Sequence, residues 1–233
     1  MAYIEFKDVC KVYETGGQKV YALHNMRFTI ERGEFCVIVG PSGAGKTTLL
    51  NILGGMDTVT SGNVTFDGKD IGSLTQNELT MHRRLNVGFV FQYYNLVQNL
   101  TARENVELAS ELSGSDVDAD GILREVGLAG REDNFPAQLS GGEQQRVSIA
   151  RAIAKNPQIV LCDEPTGALD THTGTTVLKV LQDMCREKGK TVVVITHNSA
   201  ITKMADRVIH IMNGETAGIE MNSEPVPVEK IEW

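Results

Sequence analysis

Phe35-Cys36-Val37-Ile38-Val39-Gly40-Pro41-Ser42-Gly43-Ala44-Gly45-Lys46-Thr47 is the stretch that decides the fold. Its first five residues are apolar without alternation, the pattern of a strand buried on both faces, as in a parallel sheet covered by helices. The run that follows fits G-x-x-x-x-G-K-[ST], and Leu49, Leu50, Ile52 and Leu53 behind it mark the apolar side of a helix. This order has a physical purpose. Glycines let the backbone wrap closely around phosphates with its N–H groups turned inward, and the helix N-terminus adds roughly half a positive charge. Gly40, Pro41, Ser42, Gly43, Ala44 and Gly45 form the cradle. Lys46 reaches the β- and γ-phosphates, the Thr47 hydroxyl is a candidate Mg²⁺ ligand, and Thr48 joins the nucleotide-binding set.

Outward from this centre the texture stays β/α. Residues 3–39 read as β, with a turn at Gly16-Gly17, strand pattern resuming from Tyr21 to Ile30, and a turn at Arg32-Gly33. Val64 and Phe66 share one face before a turn at Asp67-Gly68, and Val87–Phe91 is another apolar strand. From Tyr93 to Ala137 the pattern turns helical, at Ala102–Leu112 and Gly121–Val126, with the acidic run Ser115–Asp120 as a loop. A helical subdomain over about 93–152 is thus inserted into the core. Gln144–Ala154 and Thr175–Lys188 read as helices, Ile159–Cys162 and Thr191–Thr196 as buried strands. Strand, helix, strand in that order predicts an α/β fold with a mostly parallel sheet. A hairpin turns at Asn213-Gly214, which closes a body spanning 1–218. The remaining 219–233, Glu-rich with Pro225 and Pro227, reads as an extended or disordered tail, with Trp233 as a possible anchor on the body or a partner.

Three strand ends carry chemistry. Ile159–Cys162 runs into Asp163 and Glu164, and adjacent acids at the end of a buried strand are costly unless they face a cation or ligand. Open α/β sheets bind ligands at that edge. Asp163 is the candidate to hold Mg²⁺ directly or through water, and Glu164 the general base that polarises an attacking water. His197 leaves the next strand at the same edge as a γ-phosphate sensor, and Gln92 ends its strand with an amide oxygen for Mg²⁺ or water. Tyr13 is a candidate platform for adenine, with packing inside the β lobe as the rival reading; Tyr21 is read as packed. A second run, Gln138-Leu139-Ser140-Gly141-Gly142-Glu143-Gln144-Gln145-Arg146, again places a serine and two glycines before a helix, where bare N–H groups face an anion. The first loop already cradles the chain's own phosphates, so the second has none of its own to bind.

The 233 residues suit one domain, or one with a satellite lobe, and 41% hydrophobic content supports a sizeable core. A formal charge of −8 argues against nucleic acid as a partner. No apolar run approaches the ~20 residues a membrane span needs, and the first residues lack a secretory pattern. Cys10, Cys36, Cys162 and Cys185 are scattered, as expected of reduced thiols in a cytoplasm.

Together GPSGAGKT, the glutamine of VFQ, LSGGEQQR, IVLCDEP with ALD, and ITH occur in this order from Tyr3 to about Gly218. In that, the chain resembles the ATP-binding subunits of ATP-binding-cassette transporters. KVYETGGQKVYALHNM, FVFQYYNLVQNLTARENVELA and DEPTGALDTHTG are similar to the lipoprotein-release, macrolide-efflux and cell-division branch. The resemblance implies a P-loop NTPase core with an antiparallel β subdomain. It implies an ATPase using ATP and Mg²⁺, and a head-to-tail dimer, with an identical second subunit favoured. Ser140, Gly141, Gly142 and Glu143 would then contact the partner's ATP, and Asp170, in Ala168-Leu169-Asp170, would line the dimer interface. Residues Tyr93–Thr101 would meet a separate membrane permease used for export, extraction or mechanical work. The protein would then be cytoplasmic, held peripherally on the inner face of the membrane. The rival is a soluble ATPase serving as an assembly scaffold without a permease.

Overall fold

The computed structural model describes residues 2–231; Trp233, the possible anchor, lies outside them. β1 (Ile4–Thr15) and β2 (Gln18–Ile30) form the long first hairpin, β3 (Phe35–Val39) leads into the phosphate loop, and α1 (Lys46–Leu53) leaves it. β4 (Ser61–Phe66), β5 (Lys69–Asp70), α2 (Gln76–Leu85) and β6 (Val87–Val90) follow. The helical stretch holds α3 (Ala102–Ser113), α4 (Ala119–Glu125) and α5 (Gly141–Ala154). Then come β7 (Ile159–Asp163), α6 (Thr171–Arg186), β8 (Thr191–Thr196), β9 (Arg207–Met212) and β10 (Glu215–Met221).

The strands make two sheets, an antiparallel one ordered β2-β1-β4-β5 and a mixed one ordered β10-β9-β3-β8-β7-β6. In the second, β9, β3, β8, β7 and β6 run parallel and β10 pairs antiparallel with β9. All five residues of β3 and all six of β8 are buried, which is why these strands lack apolar alternation. Their side chains still alternate between two cores. Phe35, Val37, Val39, Val192 and Val194 join a cluster with α5 and α6. Cys36, Ile38, Val193 and Ile195 join one with α1 and the antiparallel sheet. The parallel sheet is therefore the middle layer of the molecule.

One helix goes unread in the sequence, and one expectation is corrected here. Only Leu79 and His82 of α2 are buried, so apolar periodicity leaves this helix unmarked between residues 71 and 87. Its start is written instead in a capping box, in which Thr75 N donates to Glu78 Oε2 at 2.8 Å and Glu78 N donates to the Thr75 hydroxyl. The C-terminal segment is ordered rather than loose, and the expected boundary at residue 218 falls inside β10, which pairs to Met221. Beyond it, Val228 and Ile231 are buried in the helical-side core. Gln182 of α6 donates to Val226 O and accepts from Val228 N, both at 3.2 Å, and Val226 N donates to Lys203 O at 3.0 Å. Paired backbone groups and two apolar anchors outweigh the acidic composition.

Candidate active site

The register of the parallel strands brings the chemistry to one edge. Val39 lies opposite Thr196, Ile195 opposite Asp163, and Cys162 opposite Val90. The residues that follow these positions are the phosphate loop, His197, Glu164 and the segment carrying Gln92, side by side at the carboxyl ends of adjacent strands.

The phosphate loop is held by its surroundings. Gly45 has φ 98, a left-handed conformation that disfavours side chains, and a Cβ there would collide with the Ala22 carbonyl oxygen. The β9–β10 turn supports the loop through Gly214 N, which donates to Ala44 O at 3.1 Å. Lys46 is buried, and its ammonium donates to the carbonyls of Gly40 (2.8 Å) and Pro41 (3.1 Å). α1 has no side-chain cap and no acid in its first turn, so its leading N–H groups stay free for an anion.

Across the loop, the Thr47 hydroxyl donates to Asp163 Oδ2 at 3.3 Å. Burial pushes the Asp163 carboxyl up, the Glu164 charge adds to this, and Thr47 and Lys46 offset it in part. A cation beside that carboxylate would remove the mismatch. No cluster of three or more His, Cys, Asp or Glu side chains suited to a metal exists among the described residues. Two hard oxygen donors beside a phosphate cradle do fit Mg²⁺, which binds through one or two carboxylates, substrate phosphates and water.

Glu164 has φ 47, and its N–H donates to Ile195 O at 2.9 Å, so the turn of its backbone is fixed from β8. Its Oε1 accepts a hydrogen bond from His197 Nδ1 at 2.9 Å. The carboxylate can only accept, so Nδ1 carries the proton and the exposed ring turns Nε2 outward. Gln92 belongs to the same corner: a Cβ on Gly167 would lie 3.6 Å from its Nε2 and 3.5 Å from Glu164 Cβ.

The tyrosines divide differently from expectation. Tyr21 is not packed but 61% exposed, because the first residues of β2 are all open to solvent. Tyr13 is 37% exposed; its hydroxyl donates to Asp57 Oδ2 at 2.6 Å, and Lys11 Nζ sits 4.9 Å from its ring centroid. One face of that ring is therefore already engaged by a cation.

The second glycine loop is a capped helix start. The Ser140 side chain accepts from Glu143 N, and Glu143 Oε2 accepts from Ser140 N (2.8 Å) and from the Ser140 hydroxyl (2.9 Å). Arg131 Nε donates to Glu143 Oε1 at 3.0 Å. The Glu143 carboxylate is thus turned back on its own helix. Gly142 is helical and buried, and a Cβ there would collide with Thr173 Cγ2 at the start of α6. Asp170 caps that helix, with Oδ1 accepting from Thr173 N at 3.0 Å and Oδ2 from the Thr173 hydroxyl at 2.7 Å. Among the described residues no hydrogen bond joins Ser140–Glu143 to the phosphate loop. Thr173 and Tyr94, both pressed against these glycines, were invisible to motif reading because the contacts are long-range.

Comparison with known proteins gives this arrangement its family. The model of the ABC transporter family matches residues 23–167. The chain belongs to the ABC transporter family. An uncharacterized ABC transporter ATP-binding protein of Methanocaldococcus jannaschii is 46% identical over 221 residues, covering 93% of this chain and 98% of that protein. The macrolide export ATP-binding/permease protein MacB of Mannheimia succiniciproducens is 44% identical over 220 residues, covering 92% of this chain and 34% of that protein. Among solved structures, the dimeric post-hydrolysis state of the ATP-binding cassette MJ0796, bound to ADP and Pi, superposes with a TM-score of 0.87 at 42% identity. That match covers 94% of this chain and 98% of that one. This cassette is therefore an ABC-type ATPase of the branch to which MacB belongs. No helix among its described residues is long and apolar enough to cross a membrane.

Proposed function

We propose that the cassette binds Mg²⁺-ATP between its phosphate loop and the Ser140–Glu143 loop of a second, identical cassette, hydrolyses it, and drives a separate membrane permease. The observation that carries this reading is the separation of the two loops. One has free amides, a buried lysine and a Thr47–Asp163 pair; the other is a capped helix start that no hydrogen bond among the described residues joins to the first.

In this reading backbone N–H groups of the non-proline residues among 40–45 and the Lys46 ammonium take the phosphates, so Lys46 exchanges the Gly40 and Pro41 carbonyls for phosphate oxygens. Thr47 and Asp163, joined by Gln92, would hold Mg²⁺, which when bound neutralises charge on the transferring phosphoryl group. Glu164 polarises the attacking water, and the His197 bond orients its carboxylate. His197 Nε2 faces the γ-phosphate. Tyr13 borders adenine with the ring face that Lys11 leaves open. Asp170 lies at the dimer interface through the α6 start against which Gly142 packs. A nucleotide shared by two chains makes closure depend on ATP and lets hydrolysis release it.

A permease seated on residues Tyr93–Thr101 would hold the cassette peripherally at the inner membrane face. Tyr93 is 80% exposed, and beside this segment lies a groove of about 360 Å³ lined by Phe89, Phe91, Asn95, Leu112 and Lys155. The cassette body would run to the end of β10, with the helical subdomain over about 93–152. Affinity capture of the chain from solubilised membranes of its own organism tests the partner. A co-purifying permease is expected, and recovery from the soluble fraction alone would overturn the coupling.

A further inference from the structure

We propose that Tyr94 is a positioning residue for the Ser140-Gly141-Gly142 loop, tying the segment after Gln92 to the half-site this chain offers a second nucleotide. The inference rests on the shared-nucleotide reading above and adds a link inside one chain.

Tyr94 and Asn95 have φ 60 and 51, two successive left-handed residues, neither a glycine. Such a pair persists only where its surroundings hold it. The holding group is Arg151 of α5, which donates through Nη2 to Tyr94 O at 2.9 Å and through Nη1 to Asn95 O. At the other end of the same residue, a Cβ placed on Gly141 would lie 2.8 Å from the Tyr94 hydroxyl and 3.7 Å from Cζ. Tyr94 therefore runs along α5, from the reach of Arg151 back to the first helical residue of the second glycine loop.

The strip it follows carries Gly141, Gln145, Ser148 and Arg151 at i+3 and i+4 spacing. Gln145 and Ser148 are 1% and 0% exposed, and among the described residues neither the Gln145 amide nor the Ser148 hydroxyl has a hydrogen-bond partner. Buried orphans of this kind require an explanation. A latched, strained segment over unpartnered polar groups is what a two-position element leaves behind in one of its positions. Displacement of residues 93–101 from outside would move the Tyr94 backbone against Arg151, and the ring would carry that displacement to Gly141.

The test is a mutant cycle in a Glu164→Gln background, with ATP-driven dimerisation read by analytical ultracentrifugation in Mg²⁺-ATP and ADP affinity of the monomer read by calorimetry. Tyr94→Ala is expected to weaken dimerisation by about tenfold or more with ADP affinity unchanged. Tyr94→Phe should stay within about twofold. Gly141→Ala should weaken it about tenfold, and adding Tyr94→Phe, which removes the atom the new methyl group meets, should recover most of that loss. The rescue reads the Tyr94–Gly141 contact itself, and weaker dimerisation at unchanged ADP affinity is what a merely structural tyrosine would not give. Dimers as tight in Tyr94→Ala as in its parent, or no rescue in the double variant, would overturn the inference alone. A parent that stays monomeric in Mg²⁺-ATP would instead overturn the shared-nucleotide reading, and this inference with it.

Discussion

Gly45 sits at φ 98 ahead of a helix that has neither a side-chain cap nor an acid in its first turn. Gly142 sits in regular helix, one residue before a glutamate that closes a capping box, and is small because Thr173 lies against it. Both loops pattern as serine and glycines before a helix, yet glycine serves conformation in one and contact in the other. The first leaves its amides open and supplies a buried ammonium. The second caps the Ser140 and Glu143 N–H groups itself and carries a carboxylate, which makes it a poor solitary site for a phosphate and suits it to a nucleotide whose charge is already met elsewhere.

The largest test of this division is Glu164→Gln. Turnover should fall by ~10²–10⁴-fold, the usual contribution of a general base, while ATP binding remains and the dimer accumulates. Phosphate release and gel filtration in Mg²⁺-ATP report both. Wild-type turnover in this variant would remove Glu164 from the chemistry.

Next in size is the pair Gly45→Ala and Gly142→Ala, followed by urea unfolding. Gly45→Ala combines backbone strain with a collision against a main-chain oxygen and should cost roughly 2–6 kcal/mol. Gly142→Ala meets the Thr173 side chain rather than backbone and gains helix propensity, so a cost of about 1–2 kcal/mol is expected. Equal costs would erase the distinction between conformation and contact.

Ser140→Ala should cost about 1 kcal/mol as a lost cap, visible as a lower melting temperature. The same cap has a pH signature. The Ser140 N–H, more than any other group, holds the Glu143 carboxyl below its ordinary 4.5. Its stabilisation is complete above pH 4.5 and is lost as pH falls through the lowered folded value. Glu143→Gln should flatten that limb of the melting curve against pH.

The smallest effect lies outside both loops and calibrates the others. Burial holds the His82 imidazole below its ordinary 6.5, and Nε2 donates to Leu53 O at 3.1 Å. Its contribution is present above pH 6.5 and fades as pH falls through the folded value, so His82→Gln should flatten the melting curve just below neutrality. An acid limb that starts at pH 6.5 in wild type and survives His82→Gln would assign that limb elsewhere.

Sequence reading reached the strands and the loop between β3 and α1 because burial on two faces and a phosphate cradle both leave contiguous patterns. It reached Asp163, Glu164 and His197 for the same reason: each ends an apolar run. What it missed is written in distance rather than order. The α2 cap at Thr75 and Glu78 was there to be read, but its helix buries too little to show a period. Tyr21 is exposed because the start of β2 stands open to solvent, and the segment around Val228 is fastened by partners distant in sequence that outweigh its local composition. The contact of Gly142 with Thr173 has no local trace at all.

The prop that the β9–β10 turn gives the phosphate loop, Gly214 N to Ala44 O, also bears on how the protein is made. The loop is translated early and its support near the end of the chain. At typical synthesis rates the interval is on the order of ten seconds. Through that time the ribosome carries a nascent chain whose phosphate loop lacks this hydrogen bond, so the contact steadies the finished protein and plays no part in the folding of its first half.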